Sequence, residues 1–378
     1  LEGFKKAHSN KKLVIVGDVP YQDAYAEGMK AQASNKILFL GYITDSEVLA
    51  ELYHQSYAYL HGHEYGGTNP TMLKAMAYGC AILALDTVFN REMLENGQFG
   101  WFFQKTSDSV ALYLQQAEHN PQAVQTLKEK ARDGITQKYN WDEVKQSIYS
   151  KTTQDVITAL QKSNLDIEDF KALISPAAEP LLENMAQKSR ELTLKRFGNT
   201  IQLFAPMYLS NECQNICTYC GFSYDNPLKR RTLTSNEIIK EVEAIKELGF
   251  KHILLVTGEA NQTVGMEYFK RMIQLIRPHF DNISMEVQPL DQKEYESLID
   301  LGLHSVLVYQ ETYHKEDYKL HHPKGKKSNF YYRLETPDRL GKAGIHKIGL
   351  GALIGLEDWR VDSFFTALHL QYLEKIPL

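Results

Sequence analysis

The chain has 378 residues, 43% apolar and 24% charged, enough for two or three domains that each bury a core. Its formal charge of -5 argues against a general nucleic-acid binder, which needs a basic surface to displace counterions. No run of about 18 apolar residues is present to span a membrane, residues 1–12 lack the apolar stretch of a signal peptide, and four cysteines with three clustered fit a reducing cytoplasm better than a disulfide framework.

In chain order, KKLVIVG (11–17) reads as a buried parallel strand, followed by a helix through Tyr25 and Met29 and a second strand, KILFLG (36–41). A helix around Asp45 to Tyr53, a strand YAYLHG (57–62), a loop HEYGGTNP (63–70), a helix MLKAMAYG (72–79) and a strand CAILALD (80–86) continue the alternation. Strands and helices alternating at these lengths predict an α/β fold with a parallel sheet and helices on both faces. Ligands of such sheets sit beyond the carboxyl ends of the strands, where HEYGGTNP lies. Adjacent glycines there let the backbone approach a ligand, and the following helix offers free N–H groups to an anion such as a diphosphate; a plain turn capped by Thr68 or Asn69 is the alternative. Cys80, at a strand start, reads as a small core residue.

The run YLHGHEYGGTNPTMLKAMAYGCAILALD, with the later NREMLENGQFGWFF, resembles the nucleotide-sugar-binding half of GT-B glycosyltransferases, in particular the rhamnosyltransferase-type branch. The resemblance covers residues 1–142 and implies a Rossmann-like half-domain in which His61, Gly66, Gly67, Thr68 and Asn69 lie near the diphosphate of a nucleotide sugar. Two departures bear on activity. Lys74 stands where many members place a glutamate that accepts hydrogen bonds from hydroxyls, and no acceptor-binding domain precedes the segment, so half an active site is expected.

After KYNWDEVKQSIYSKT (138–152) the pattern changes. Helical periodicity fills 153–197, and from Ile201 strands are expected at 201–210, 252–259, 283–288, 304–311 and 346–355, with helices such as 235–249, capped by Ser235 or Asn236, between them. Five strand–helix units predict a (β/α) barrel, whose chemistry sits on the loops after the strands. The chain stops after the fifth unit, so the barrel is expected to be incomplete.

Cys213, Cys217 and Cys220 follow the first of these strands with spacing C-x3-C-x2-C. Three thiolates can hold zinc with a fourth ligand, can be structural, or can hold a [4Fe–4S] cluster whose fourth iron stays open. With the aromatic Tyr219 before the last cysteine, the spacing resembles the signature of the radical S-adenosylmethionine (SAM) enzymes. That resemblance implies that SAM chelates the open iron and that one electron splits its sulfonium to begin radical chemistry. Thr257, Gly258 and Glu259 then correspond to the motif that meets the SAM amino group, and Gly351, Ile354 and Gly355 of GALIGLED to the segment backing the adenine.

The stretches LFAPMYLSNECQNICTYCGFS, RRTLTSNEI, VYQETYH, RLETPDRLGKAGI and KIGLGALIGLEDWR, with SPAAEPLLENMAQKSRELTLKRFGNT upstream, resemble the tyrosine lyases of the radical SAM family that serve thiamine biosynthesis. The resemblance runs from about residue 144 to the last residue and implies L-tyrosine as substrate, p-cresol and 2-iminoacetate as products, a thiazole synthase as the receiving partner, and an electron donor such as flavodoxin or ferredoxin. Arg333 and Arg339 are the candidate guanidinium groups for the substrate carboxylate, with Gln310, Glu311 and Tyr313 lining the cavity. His314, His321 and His322 read as surface residues. Residues 1–142, 143–200 and 201–378 are thus expected to be a transferase half-domain, a helical extension and an incomplete barrel. No Pro/Gly/Ser-rich linker separates the first two, which suggests a join of two genes near 138–146. Slow or no tyrosine turnover by this chain is expected, and a composite without a joint function is the third possibility.

Overall fold

In this computed structural model residues 1–18, 23–43, 45–64 and 70–375 are described. They divide into two units, Leu1–Val144 and Lys145–Leu378.

In the first unit, apolar runs bounded by turn residues become short parallel strands. β1 (Leu13–Ile15) pairs with β2 (Ile37–Phe39), and β3 (Tyr59–His61), β4 (Ile82–Leu85) and β5 (Gly100–Phe103) form a second parallel sheet in that order. The expected single sheet is therefore two pieces among the described residues: no ladder joins β2 to β3, and Val14, Val16 and Leu40 stay exposed around the smaller piece. Every residue of β4 is buried, as befits a strand covered on both faces. Met72 and Met76 of helix Pro70–Ala77 pack with Ile82, Ala84, Leu94 and Phe99 into the core. Cys80 is buried there, as its position suggested. Helix Ser46–Gln55 starts where Asp45 accepts from the backbone N–H groups of Glu47 and Val48.

In the second unit, helices Thr153–Gln161, Ile167–Leu173 and Leu182–Phe197 precede a five-stranded, wholly parallel sheet. Its strands are β6 (Phe204–Ser210), β7 (His252–Thr257), β8 (Asn282–Glu286), β9 (Leu303–Leu307) and β10 (Lys347–Gly349), and they lie side by side in sequential order. Alternation decides which face is covered. Ile253 and Leu255 of β7, Ile283 and Met285 of β8 and Val306 of β9 meet Phe269, Met272, Ile273 and Ile276 of helix Met266–Ile276, together with Ile238, Val242, Tyr295 and Leu298 of the neighbouring helices. Ser284 and Glu286 fall on the opposite face of β8. Helix Ser235–Glu247 is capped by Thr234, one residue earlier than the sequence suggested, because Glu237 reaches back to the Thr234 N–H while Thr234 accepts from Glu237 N. No helix among the described residues is long and apolar enough to cross a membrane.

Candidate active site

β6 ends at Ser210, and the loop that follows carries Cys213, Cys217 and Cys220, all free thiols. Side chains hold this loop open. Arg230 donates to the carbonyls of Asn211, Phe222 and Ser223, Asn226 donates to those of Cys220 and Gly221, and Ser223 Oγ accepts from Cys217 N at 3.0 Å. Cys217 is buried, and desolvation pushes its thiol up to about 12 despite the opposing pull of Lys327.

The donor chemistry can be tested against geometry. Sulfurs around one tetrahedral zinc lie roughly 4 Å apart, from a Zn–S bond of about 2.3 Å. Among the described residues the group of three donors lying mutually within 4.8 Å is His314, Asp317 and Glu357, and the three thiols do not form such a group. Three thiolates on one loop can instead hold three irons of a [4Fe–4S] cluster and leave the fourth open.

The end of β7 packs directly on this loop. Gly258 N donates to Ser210 O at 3.0 Å, and a Cβ at Gly258 would sit 2.2 Å from Glu212 O and 3.2 Å from Cys213 Cβ. The close approach that glycine permits here is therefore to the cysteine loop itself. Glu259 follows, buried, with Oε1 accepting from Arg333 Nη1 at 2.8 Å and Oε2 from Asn215 Nδ2 at 2.9 Å. Burial raises the Glu259 pKa, but Arg333 and Lys327 outweigh it and the carboxyl is held below its ordinary value. Thr257 Oγ1 beside it is buried without a hydrogen-bond partner.

Arg333 is buried and spends its guanidinium inside the protein: Nε donates to Tyr309 O at 2.7 Å, Nη1 to Glu259, and Nη2 to Glu311 Oε1 at 3.4 Å. Glu311 also accepts from Lys327 Nζ at 2.7 Å. Its backbone is left-handed, φ 71°, an unusual state for a non-glycine that is held by a bridge to Ala352 and by Leu353 N donating to Glu311 O at 2.7 Å. Glu286 on β8 is raised by burial and then by Glu311. The structure thus gathers Glu259, Glu311 and Arg333 of the expected residues into one charged, buried chain. Gln310 adjoins it in sequence, buried, with neither side-chain atom partnered.

Other expected residues lie apart from this chain. Arg339 donates to Leu290 O, Tyr332 O and Thr336 Oγ1 and stacks on the Tyr332 ring at 4.0 Å, so it ties helices together. Tyr313 bonds His369 Nδ1 at 2.9 Å and stacks on Phe365 of helix Trp359–Lys375. Gly351 backs Tyr309, its missing Cβ 3.0 Å from that ring, while Ile354 is exposed and Gly355 has φ 105°.

Three residues that sequence reasoning missed complete the picture: Asn215, Lys327 and His322. The expectation that His322 is a surface residue is corrected, for it has no exposed area. Its Nδ1 lies 2.7 Å from Tyr318 O and must carry the proton, so Nε2 accepts from Tyr219 OH at 2.8 Å. Burial lowers this imidazole to about 4, keeping it neutral. His314 and His321 are half-buried, and His314 pairs with Asp317. The basic look of HHPKGKK hid these roles, and its Gly325 was the available signal of a tight approach.

In the first unit His61 ends β3, 2% exposed, with Nε2 unpartnered and the imidazole lowered to about 4 by burial and by His63. Asn90 Nδ2 fixes the next segment by donating to His63 O at 3.1 Å and Leu85 O at 2.8 Å. Gly66, Gly67, Thr68 and Asn69 lie outside the described residues.

Comparison with known proteins assigns both units. Residues 207–368 match the radical SAM superfamily model, and residues 1–134 match glycosyl transferases group 1. The chain carries a radical SAM domain, of a superfamily that uses a [4Fe–4S] cluster and SAM, joined to a group 1 glycosyl transferase domain. More particularly, it is 55% identical over 237 residues to 2-iminoacetate synthase of Escherichia coli K12, covering 62% of this chain and 63% of that one. The enzyme of the same name from Salmonella typhimurium LT2 is 54% identical, with coverage of 62% and 63%. The chain thus spans 63% of the length of these curated relatives. Among solved structures, the [FeFe]-hydrogenase maturase HydG of Carboxydothermus hydrogenoformans is similar at TM-score 0.55 and 33% identity, covering 62% of this chain and 53% of that one.

Proposed function

We propose that residues 145–378 serve a lyase that breaks the Cα–Cβ bond of L-tyrosine to give p-cresol and 2-iminoacetate, the latter passing to a thiazole synthase in thiamine biosynthesis. The observation that carries this reading is the buried chain Asn215–Glu259–Arg333–Glu311–Lys327 set against a loop of three free thiols. The name of the curated relatives supplies the product.

In this reading Cys213, Cys217 and Cys220 would hold the cluster, and Glu259 would accept from the SAM ammonium. A cluster with SAM supplies one-electron chemistry that opens hydrogen-atom abstraction when reduced by a donor such as flavodoxin or ferredoxin. The residues of the chain itself do the rest. Arg333 keeps Glu259 ionised inside the protein and pairs with Glu311 as well. Thr257 Oγ1 and both polar atoms of Gln310 remain to satisfy a bound polar ligand. Since Nε and both Nη atoms of Arg333 already donate, this guanidinium acts first as counter-ion and only through its remaining N–H groups toward a carboxylate. The oxygen-sensitive cofactor places such work in a reducing compartment, the cytoplasm.

The test is anaerobic reconstitution followed by incubation with SAM, a reductant and L-tyrosine. About four irons per chain and L-tyrosine-dependent formation of 5′-deoxyadenosine, with slow release of p-cresol at most, are expected. Cluster-loaded protein whose 5′-deoxyadenosine formation does not respond to L-tyrosine would overturn the lyase assignment, and a chain that takes up no iron would overturn the cofactor assignment.

A second reading belongs to the first unit alone. The buried, unpartnered Nε2 of His61 at the end of β3 favours a polar ligand there, and a nucleotide sugar suits the domain. Titration with UDP- or dTDP-sugars by calorimetry should show saturable heat in the parent and its loss in His61→Ala; no heat with any of them would sink this reading.

A further inference from the structure

The segment 321–327, HHPKGKK, lies along the cysteine loop about a hundred residues earlier in the chain. Lys324 O accepts from Ile216 N at 3.0 Å and His321 O from Thr218 N at 3.1 Å, forming a short antiparallel bridge. Side chains repeat the attachment: Thr218 Oγ1 lies 2.9 Å from His321 Nδ1, and Tyr219 OH bonds His322. At the centre stands Asn215, fully buried between Cys213 and Cys217. Its Oδ1 accepts from Lys327 N at 3.0 Å, and its Nδ2 donates to Glu259 Oε2 at 2.9 Å. Gly325, at φ 98°, comes so near that a Cβ there would meet Asn215 Oδ1 at 2.2 Å.

An amide is the side chain this junction calls for. It needs an acceptor toward the strap backbone and a donor toward a buried carboxylate on the same short, planar group, and neither a carboxylate nor a hydroxyl of that shape offers both in fixed directions. Removing one arm leaves either a buried N–H or a buried carboxylate oxygen unpaired.

We propose that Asn215 is a positioning residue that locks the strap 321–327 onto the cysteine loop and fixes Glu259 against it, so that the three thiols and the Glu259–Arg333 pair hold one geometry. This rests on the cofactor reading above only for its purpose, and its test uses the metal-free protein. The probe is iodoacetamide alkylation of Cys217, followed by peptide mass spectrometry alongside the melting temperature.

In the parent Cys217 should react slowly, being buried between Ile216 and Thr218, whose backbone N–H groups the strap binds. Asn215→Asp keeps the shape and the acceptor but sets a carboxylate against Glu259, and Gly325→Ala pushes the strap off from its own side. Each should speed alkylation of Cys217 at least tenfold. Asn215→Asp with Glu259→Gln exchanges donor and acceptor across the pair and should return the rate toward the parent's, a rescue that general loosening of the fold would not produce. If Asn215→Asp does not fold, Gly325→Ala decides alone. Rates within twofold of the parent in the single variants, or a double variant as reactive as Asn215→Asp, overturn the proposal. Iron uptake by the parent, measured separately, reports on the cofactor reading, so the two can fail independently.

Discussion

Arg333 faces two carboxylates inside the protein, and this sets what its loss must do. Glu259 and Glu311 both lean on its guanidinium, and the low polarity around them makes an unpaired charge expensive. Arg333→Met should therefore cost about 3–5 kcal/mol of stability at neutral pH. The pH dependence gives the sharper check. In the parent, Glu259 is held below its ordinary value, so the stability it contributes is present above the pKa of the unfolded chain and is lost as pH falls through the folded value. Without Arg333 the buried Glu259 carboxyl must rise instead, and the variant should gain stability relative to the parent as pH falls from 7 to 5. Urea melts of both proteins across that range measure the slopes; parallel slopes would refute the counter-ion role. His322 supplies a second residue-scale case, a group that burial keeps neutral rather than charged. Its imidazole drops from 6.5 to about 4, so its contribution is whole above pH 6.5 and drains away as pH falls toward 4. A shift of that size removes roughly 2 kcal/mol by pH 5. His322→Gln, which still offers Tyr219 an acceptor, should flatten this part of the profile in the same melts.

At the scale of elements, alternation and helical period carry most of the information. Ile253, Leu255, Ile283 and Met285 repeat every second residue, and Phe269, Met272, Ile273 and Ile276 fall on one helical face, so both elements and the core between them were legible. Phe269→Ala should cost about 3–5 kcal/mol, because the residue is wholly buried at the centre of that contact. Thr234→Ala removes one cap and should cost only about 1 kcal/mol. Equal losses in denaturant melts would mean that this helix–sheet contact is not the main core. The place of the cysteine loop after the first strand of the second sheet was equally legible, since its three thiols stand within eight residues of sequence. The strap 321–327 was not. Its partners Asn215, Thr218 and Tyr219 lie about a hundred positions away, and a lysine- and histidine-rich run is ordinarily a solvated face. Long-range pairing of backbone amides leaves no period in sequence, and only Gly325 hinted at it. The same reasoning separates Arg333 from Arg339: six residues apart, one is turned into the charged chain and the other onto Tyr332, and no local pattern distinguishes them.

For the whole molecule, the change of pattern after residue 138 marked two different architectures, and the structure divides at Val144. What remained illegible there was continuity within the first sheet, because three-residue strands such as β1 and β2 carry too few hydrogen bonds for sequence to specify their neighbours. Each unit nevertheless owns a separate core, one around Met72, Ile82 and Phe99 and the other around Ile253, Phe269 and Ile283. Two cores imply two cooperative transitions, and a ligand that binds only the native form of one unit raises only that transition, by RT ln(1 + [L]/Kd). At a hundredfold excess over Kd that is about 2.7 kcal/mol, a shift of several degrees for a unit of this size. Calorimetry on the metal-free chain should therefore show two peaks, the first unit's moved by a nucleotide sugar. In the reconstituted chain SAM should move the other. A single peak raised by both ligands would show that the units fold as one, and the function assigned to either would then have to be sought in the pair.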